Sequence, residues 1–194
     1  MLLTGLEIQK QLEIGTIVID PFIPAHLSTN SYDVTLANYL IRYDLSQRGY
    51  LDVRSENATC QVSIPEDGLV LEPHHLYLGS TVETATSTGY VPMYEGKSSI
   101  GRLGLFSHVT AGFGDVGWGF VQDEDTQALR CTYPTWTLEM VVVHPVKIYP
   151  GMKIGQVYFF KPSGEIELYK GRYHHQKKPV PSRIWQDFIG DKEK

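Results

Sequence analysis

The chain has 194 residues, a formal net charge of −5 and two cysteines. That length suits one domain with a real core, and 42% hydrophobic against 20% charged residues excludes an intrinsically disordered chain. The acidic balance excludes general coating of nucleic acid, which needs a basic surface, and Cys60 and Cys131 are too few for a disulfide framework. No apolar run reaches the roughly 18 residues of a membrane span, and Glu7 and Gln9 follow Met1-Leu2-Leu3 too closely for a secretory leader. The expectation is a single soluble domain over 1–190 with a frayed tail at 191–194, resident in a reducing cytoplasm (the host's, for a viral chain).

The chain opens on a helix. Thr4 and Glu7 have capping-box spacing, in which the Thr4 hydroxyl accepts the Glu7 amide and the Glu7 carboxylate reaches back. Leu3, Leu6, Ile8 and Leu12 supply an apolar stripe, and Gly15 is placed to end the helix. Ile17-Val18-Ile19 then reads as a short strand closed by Asp20-Pro21, and Tyr32, Val34 and Leu36 alternate with polar neighbours. Further strand-like runs follow at 69–71, 76–78, 138–143, 146–148 and 156–160, separated by turns such as Pro65-Glu66-Asp67-Gly68 and Pro150-Gly151. Many short strands at close intervals indicate an all-β sandwich or barrel. Residues 97–105 are the exception and read as one or two helical turns among the strands.

Four groups of residues carry chemistry. The lone cysteines lack the Pro-Cys-x-x-Cys of zinc deaminases, and the adjacent pairs His74-His75 and His174-His175 point different ways on a strand, so no zinc is expected. Gly96-Lys97-Ser98 fails as a Walker loop because Val91 stands where that motif needs glycine. It remains either an anion cradle or a plain capped turn. Residues 110–119 hold four glycines around Asp115, Phe113 and Trp118, a tight turn that either exposes backbone to a ligand or is a bare β-corner. Glu139 lies in the apolar strand Thr137-Leu138-Glu139-Met140-Val141, on the face opposite Leu138 and Met140. It is either outward-facing or buried with a partner such as Arg102, as a candidate base would be.

Glu95-Gly96-Lys97-Ser98-Ser99-Ile100-Gly101-Arg102-Leu103-Gly104-Leu105, then His108-Val109-Thr110-Ala111-Gly112-Phe113 with Asp115, then Thr137-Leu138-Glu139, then Pro150-Gly151-Met152-Lys153-Ile154-Gly155-Gln156, closely resemble the zinc-free dCTP deaminases of the trimeric dUTPase superfamily. Ser31-Tyr32-Asp33-Val34 and Pro181-Ser182-Arg183 agree, so the likeness covers nearly the whole chain. The resemblance implies a distorted β-barrel of jelly-roll type with an N-terminal and a short internal helix. It also implies a homotrimer with active sites between subunits. In that likeness Glu139 is the base that activates water for attack on cytosine C4, Ser98 and the main chain at Ala111 hold the water, and Arg102 neighbours Glu139. Lys97, Ser99, Gln156, Arg172 and Gln176 match triphosphate-holding positions, with Mg²⁺ bound through the triphosphate rather than by protein side chains. Asp115 matches the sugar-binding carboxylate, and Trp118, Tyr169 and Tyr173 match positions around the nucleotide.

Two features depart from the family pattern. Residues 119–136 are longer than the short turn usual before the Thr-Leu-Glu strand and are acidic, an inserted hairpin or loop whose expected form is a solvent hairpin and whose alternative is a lid or partner contact. Gly112-Phe113 replaces the His and basic residue of strict deaminases and resembles members that also hydrolyse dUTP to dUMP and pyrophosphate. The implied function is dCTP deamination in pyrimidine deoxynucleotide synthesis, coupled to dUMP formation. The alternatives are a strict deaminase, a strict dUTPase, or a non-catalytic nucleotide sensor on the same fold.

Overall fold

The computed structural model describes residues 1–174 and 176–189. His175, one member of the second histidine pair, and the tail expected at 191–194 lie outside the described residues. The N-terminal helix α1 spans Gly5–Ile14, with the Thr4 hydroxyl accepting the Glu7 amide and Gly15 closing it at φ 85° through bonds to the Gln11 and Leu12 carbonyls. Two details differ from the sequence reading. The Glu7 carboxylate accepts from the Gln11 side chain at 2.7 Å instead of reaching back to the cap. Leu6 is 81% exposed while Ile8 is fully buried. Residues two apart on a helix sit about 200° apart around its axis, so one stripe cannot hold both. Gly5 is needed where it stands, because a Cβ there would lie 2.1 Å from the Ser28 carbonyl oxygen.

The strands follow as β1 (Ile17–Asp20), β2 (Tyr32–Thr35), β3 (Tyr39–Tyr43), β4 (Thr59–Ser63), β5 (Leu69–Leu71), β6 (Tyr77–Ser80), β7 (Thr84–Ser87) and β8 (Val91–Gly96). The one-turn helix α2 (Ser98–Gly101) precedes β9 (Leu105–His108), β10 (Phe120–Gln122), β11 (Leu129–Cys131), β12 (Thr137–Val142), β13 (Val146–Ile148) and β14 (Lys153–Phe160). All pairings are antiparallel. A five-stranded sheet ordered β4-β3-β6-β12-β9 faces a three-stranded sheet ordered β2-β14-β8, with β1-β7 and β13-β5 as flanking pairs. One apolar cluster joins the two, from Leu40, Leu138 and Met140 of the larger sheet to Tyr32, Val157 and Phe159 of the smaller. This is the mainly β, distorted jelly-roll barrel the sequence implied. No helix among the described residues is long and apolar enough to cross a membrane.

Within the acidic stretch at 119–136, β10 and β11 pair as a hairpin with Gln122 opposite Leu129, and Asp123 closes its tip by accepting from Thr126. Residues 122–130 are exposed. Replacing 123–128 by an Asn-Gly turn preserves the antiparallel pairing. The shortened chain is expected to melt within a few degrees of the parent by circular dichroism, and an insoluble product would reveal a contact made by the tip.

Candidate active site

Alternation along β12 buries Leu138, Met140 and Val142 and turns Thr137 and Glu139 outward, half-buried. Glu139 lies between His108 of β9 and Leu78 of β6. The segment after β14 crosses this outward face and is stitched to it. Tyr169 N–H donates to the Val116 carbonyl at 2.9 Å, and the Trp118 indole donates to the Tyr173 carbonyl at 2.9 Å. Gln176 and Thr135 exchange two bonds of 3.0 Å, while Ser182 N–H reaches the Tyr43 hydroxyl at 2.8 Å. One glycine of 110–119 serves this closure: Gly117 is left-handed at φ 82°, and a Cβ on it would lie 2.7 Å from the Leu168 side chain of the crossing segment.

Beneath the crossing segment is a cavity of about 410 Å³, a size suited to a small-molecule ligand. Glu139, Asp115 and Ala111 line it with Trp118, Tyr169, Tyr173 and Gln176, so seven of the residues to which the resemblance gave a role converge there. Phe113, Leu76 and Leu78 add apolar wall. The Thr110 hydroxyl donates to the Glu139 carboxylate, a contact the sequence reading did not anticipate. The buried Arg102–Glu139 pair considered above is not formed within one chain. Arg102 is exposed at the end of α2 and is not part of the cavity wall. Trp118 is 6% exposed, packed edge-on to Trp136 with ring centroids 5.1 Å apart, so its indole is a wall held from behind.

Ser98, Ser99 and Lys97 sit at α2 beside β8, away from that wall. Lys97 Nζ pairs with Asp33 Oδ1 at 2.5 Å, and Lys153 Nζ pairs with Asp33 Oδ2 at 2.9 Å. Gln156 Oε1 accepts from Ser31 Oγ at 2.9 Å. Arg172 lines a second, basic hollow of about 320 Å³ with Lys170, Arg183 and Gln176. Its guanidinium donates to the Asp187 carboxylate and, at 2.8 Å, to the Arg183 carbonyl, while Arg183 returns a bond of 2.8 Å to the Arg172 carbonyl. Among the described residues no three His, Cys, Asp or Glu side chains are grouped to hold a metal ion. Cys60 and Cys131 are free thiols.

Asp33 and Lys153 stand in stretches the resemblance matched but were given no role there, and Glu83 was not singled out. Glu83 is fully buried and accepts both the Thr35 amide at 2.8 Å and the Thr35 hydroxyl at 2.9 Å, pinning β2. Burial raises the Asp33 carboxyl, but the hydrogen bonds and charges of Lys97 and Lys153 outweigh it and hold the group below the usual carboxylate range. A carboxyl lowered on folding contributes stability that is complete above its unfolded value of about 3.9 and is lost as pH falls through the lower folded value. Acid titration followed by circular dichroism is therefore expected to show a destabilising component below about pH 4 that Asp33→Asn lacks. An identical acid limb in both proteins would assign that component to other groups.

Taken together, the fold and the cavity define a β-barrel protein with a carboxylate-bearing pocket of small-molecule size. Residues 2–162 match the family model described as dCTP deaminase-like, and the chain belongs to that family. It is 46% identical over 189 residues to a Cytophaga hutchinsonii protein named dCTP deaminase, dUMP-forming, a match covering 97% of this chain and 99% of the relative. A Clostridium beijerinckii protein of the same name is 43% identical over 189 residues, with the same coverage. Among solved structures, the 2′-deoxycytidine 5′-triphosphate deaminase from Agrobacterium tumefaciens superposes with a TM-score of 0.53 at 17% identity, over 81% of this chain and 47% of that one. That likeness is one of fold.

Proposed function

We propose that this chain deaminates dCTP hydrolytically and carries the product on to dUMP and pyrophosphate, as a cytoplasmic step in supplying pyrimidine deoxynucleotides. The observation that carries the reading is that Glu139 and Asp115, two carboxylates suited to two hydrolytic steps, open into one cavity. The dUMP-forming names of the relatives support it. In the first step Glu139 takes a proton from water, the resulting hydroxide adds to cytosine C4, and the proton is delivered to N4 so that ammonia leaves. The Thr110 hydroxyl holds the Glu139 carboxylate in place for this. In the second step Asp115 orients water towards the phosphate chain, which cleaves to dUMP and pyrophosphate.

Ser98, Arg102 and Lys97 lie outside the cavity of their own chain. The reading therefore requires a second copy to present α2 to Glu139, which is the homotrimer with inter-subunit sites. Leu103, Phe106, Val141 and Val143 support it: these large apolar side chains are 38–65% exposed along α2, β9 and β12, and Phe106 and Val141 sit side by side. With no cluster among the described residues to cage it, Mg²⁺ would take its ligands from triphosphate oxygens and water, where it offsets phosphate charge.

Purified protein with Mg²⁺ and dCTP is expected to release ammonia, and chromatography is expected to show dUMP without accumulating dUTP. Accumulating dUTP would indicate a strict deaminase. Release of dUMP from dUTP alone would indicate a dUTPase, and binding of dCTP without any product a nucleotide sensor. Light scattering should give three chain masses per particle.

A further inference from the structure

We propose that Lys153 is a phosphate-binding residue and that Asp33 positions it together with Lys97, making a two-lysine seat for the polyphosphate end of the nucleotide. The proposal rests on the nucleotide reading above for the identity of the anion, and on the following geometry for the site. Asp33 is 9% exposed, and each of its two oxygens holds one lysine. Within this trio one carboxylate meets two ammonium groups; Glu83, bonded to the Thr35 hydroxyl, and Glu95, opposite Gln156, are the neighbouring carboxylates. Ser31 donates to Gln156 Oε1, which leaves the Gln156 NH₂ as the donor end of that side chain.

Strand geometry explains why these groups share a face. In a regular strand, residues 153 and 156 point to opposite sides. Here β14 pairs with β2 as Lys153 with Thr35, Gly155 with Val34 and Gln156 with Asp33, and the register shifts between Lys153 and Gly155. The extra residue is a β-bulge, which re-aims the side chain before it. Ile154 and Gly155 are consecutively buried, and Lys153 emerges on the side of Gln156 and Asp33. Without the bulge that ammonium would point towards the face of Val157 and Phe159, both fully buried. The Lys153 side chain stays 40% exposed and the Lys97 side chain 25%, so both remain reachable by a soluble anion.

Titration calorimetry with two probes, sodium tripolyphosphate and dCTP with Mg²⁺, tests the site on the full-length protein. Lys153→Met is expected to weaken both probes about tenfold, the loss of one charge-assisted hydrogen bond. It should raise KM for dCTP by a similar factor with kcat unchanged. Lys153→Arg should stay within about threefold of the parent, and the exposed Lys161→Ala should change nothing. Asp33→Asn should raise KM without lowering kcat, and by less in a Lys153→Met background, because both changes act on the same lysine. An Asp33→Asn protein that loses kcat and melting temperature with no change in KM would make Asp33 merely structural.

Wild-type affinity in Lys153→Met for both probes overturns the proposal even where deamination is intact. Tripolyphosphate binding that weakens in Lys153→Met, in a protein that releases no ammonia from dCTP, upholds the anion seat and overturns the deaminase reading. A parent protein that binds neither probe overturns both.

Discussion

Glu139→Gln is expected to lower dCTP deamination by about 10³-fold or more, within the span attributed to a positioned general base, while dCTP affinity stays within a few-fold of the parent. The substitution keeps the shape of the side chain and an oxygen that the Thr110 hydroxyl can still reach, so the cavity wall is preserved. What disappears is the basic carboxylate. Single-turnover ammonia release and calorimetric dCTP binding, measured on the same preparation, separate the two effects. Substantial residual turnover would move the base to another group in the cavity, and Asp115 is the other carboxylate there. Lost binding together with lost turnover would mean that Glu139 holds the substrate rather than activating water.

Trp136→Ala is expected to cost about 3–5 kcal/mol, the range for truncating a buried aromatic. The side chain is 3% exposed, its indole donates to the Ala85 carbonyl at 2.9 Å, and its ring packs against Trp118 and Tyr94. Truncation removes that contact area and leaves the Ala85 carbonyl without its partner, which adds a desolvation cost. For a chain of this size the melting temperature should fall by roughly 6–20 °C. The effect should reach function as well, because Trp136 stands behind Trp118 at the cavity wall and Trp118 holds the Tyr173 carbonyl of the crossing segment. Weakened dCTP binding is thus expected at temperatures where the variant is still folded. Trp136→Phe should recover part of the stability through retained aromatic packing. A Trp136→Ala protein as stable as the parent would show that the two-tryptophan wall is not part of the core.

Where a feature depends on neighbours in the chain, it was legible. The Thr4 cap, the Gly15 stop, the helical turn after Gly96-Lys97 and the alternation that turns Glu139 away from Leu138 and Met140 all follow from nearest-residue geometry. The glycine cluster at 110–119 announced a tight turn but left open whether a ligand or nothing lies against it, and at Gly117 it is the chain itself that approaches. The structure supplies the answer in Leu168 of the crossing segment. Alternation could not have placed Lys153, because a period of two presumes that no residue is inserted, and the bulge beside Lys153 breaks that count. Asp33 was matched but given no role for a related reason: its partners stand 64 and 120 residues away, at distances no local pattern encodes.

The length, acidic balance and paucity of cysteine determined the kind of molecule. Its local signals determined a short-stranded β-domain with Glu139 on an open face. Tertiary structure alone decided the rest. It placed Glu139 and Asp115 in one cavity, set Arg102 and Ser98 outside that cavity in their own chain, and gathered the two lysines on Asp33. The physical reason is that a cap or a turn is satisfied within a few residues, whereas a buried charge must find its counter-charge wherever the fold brings one.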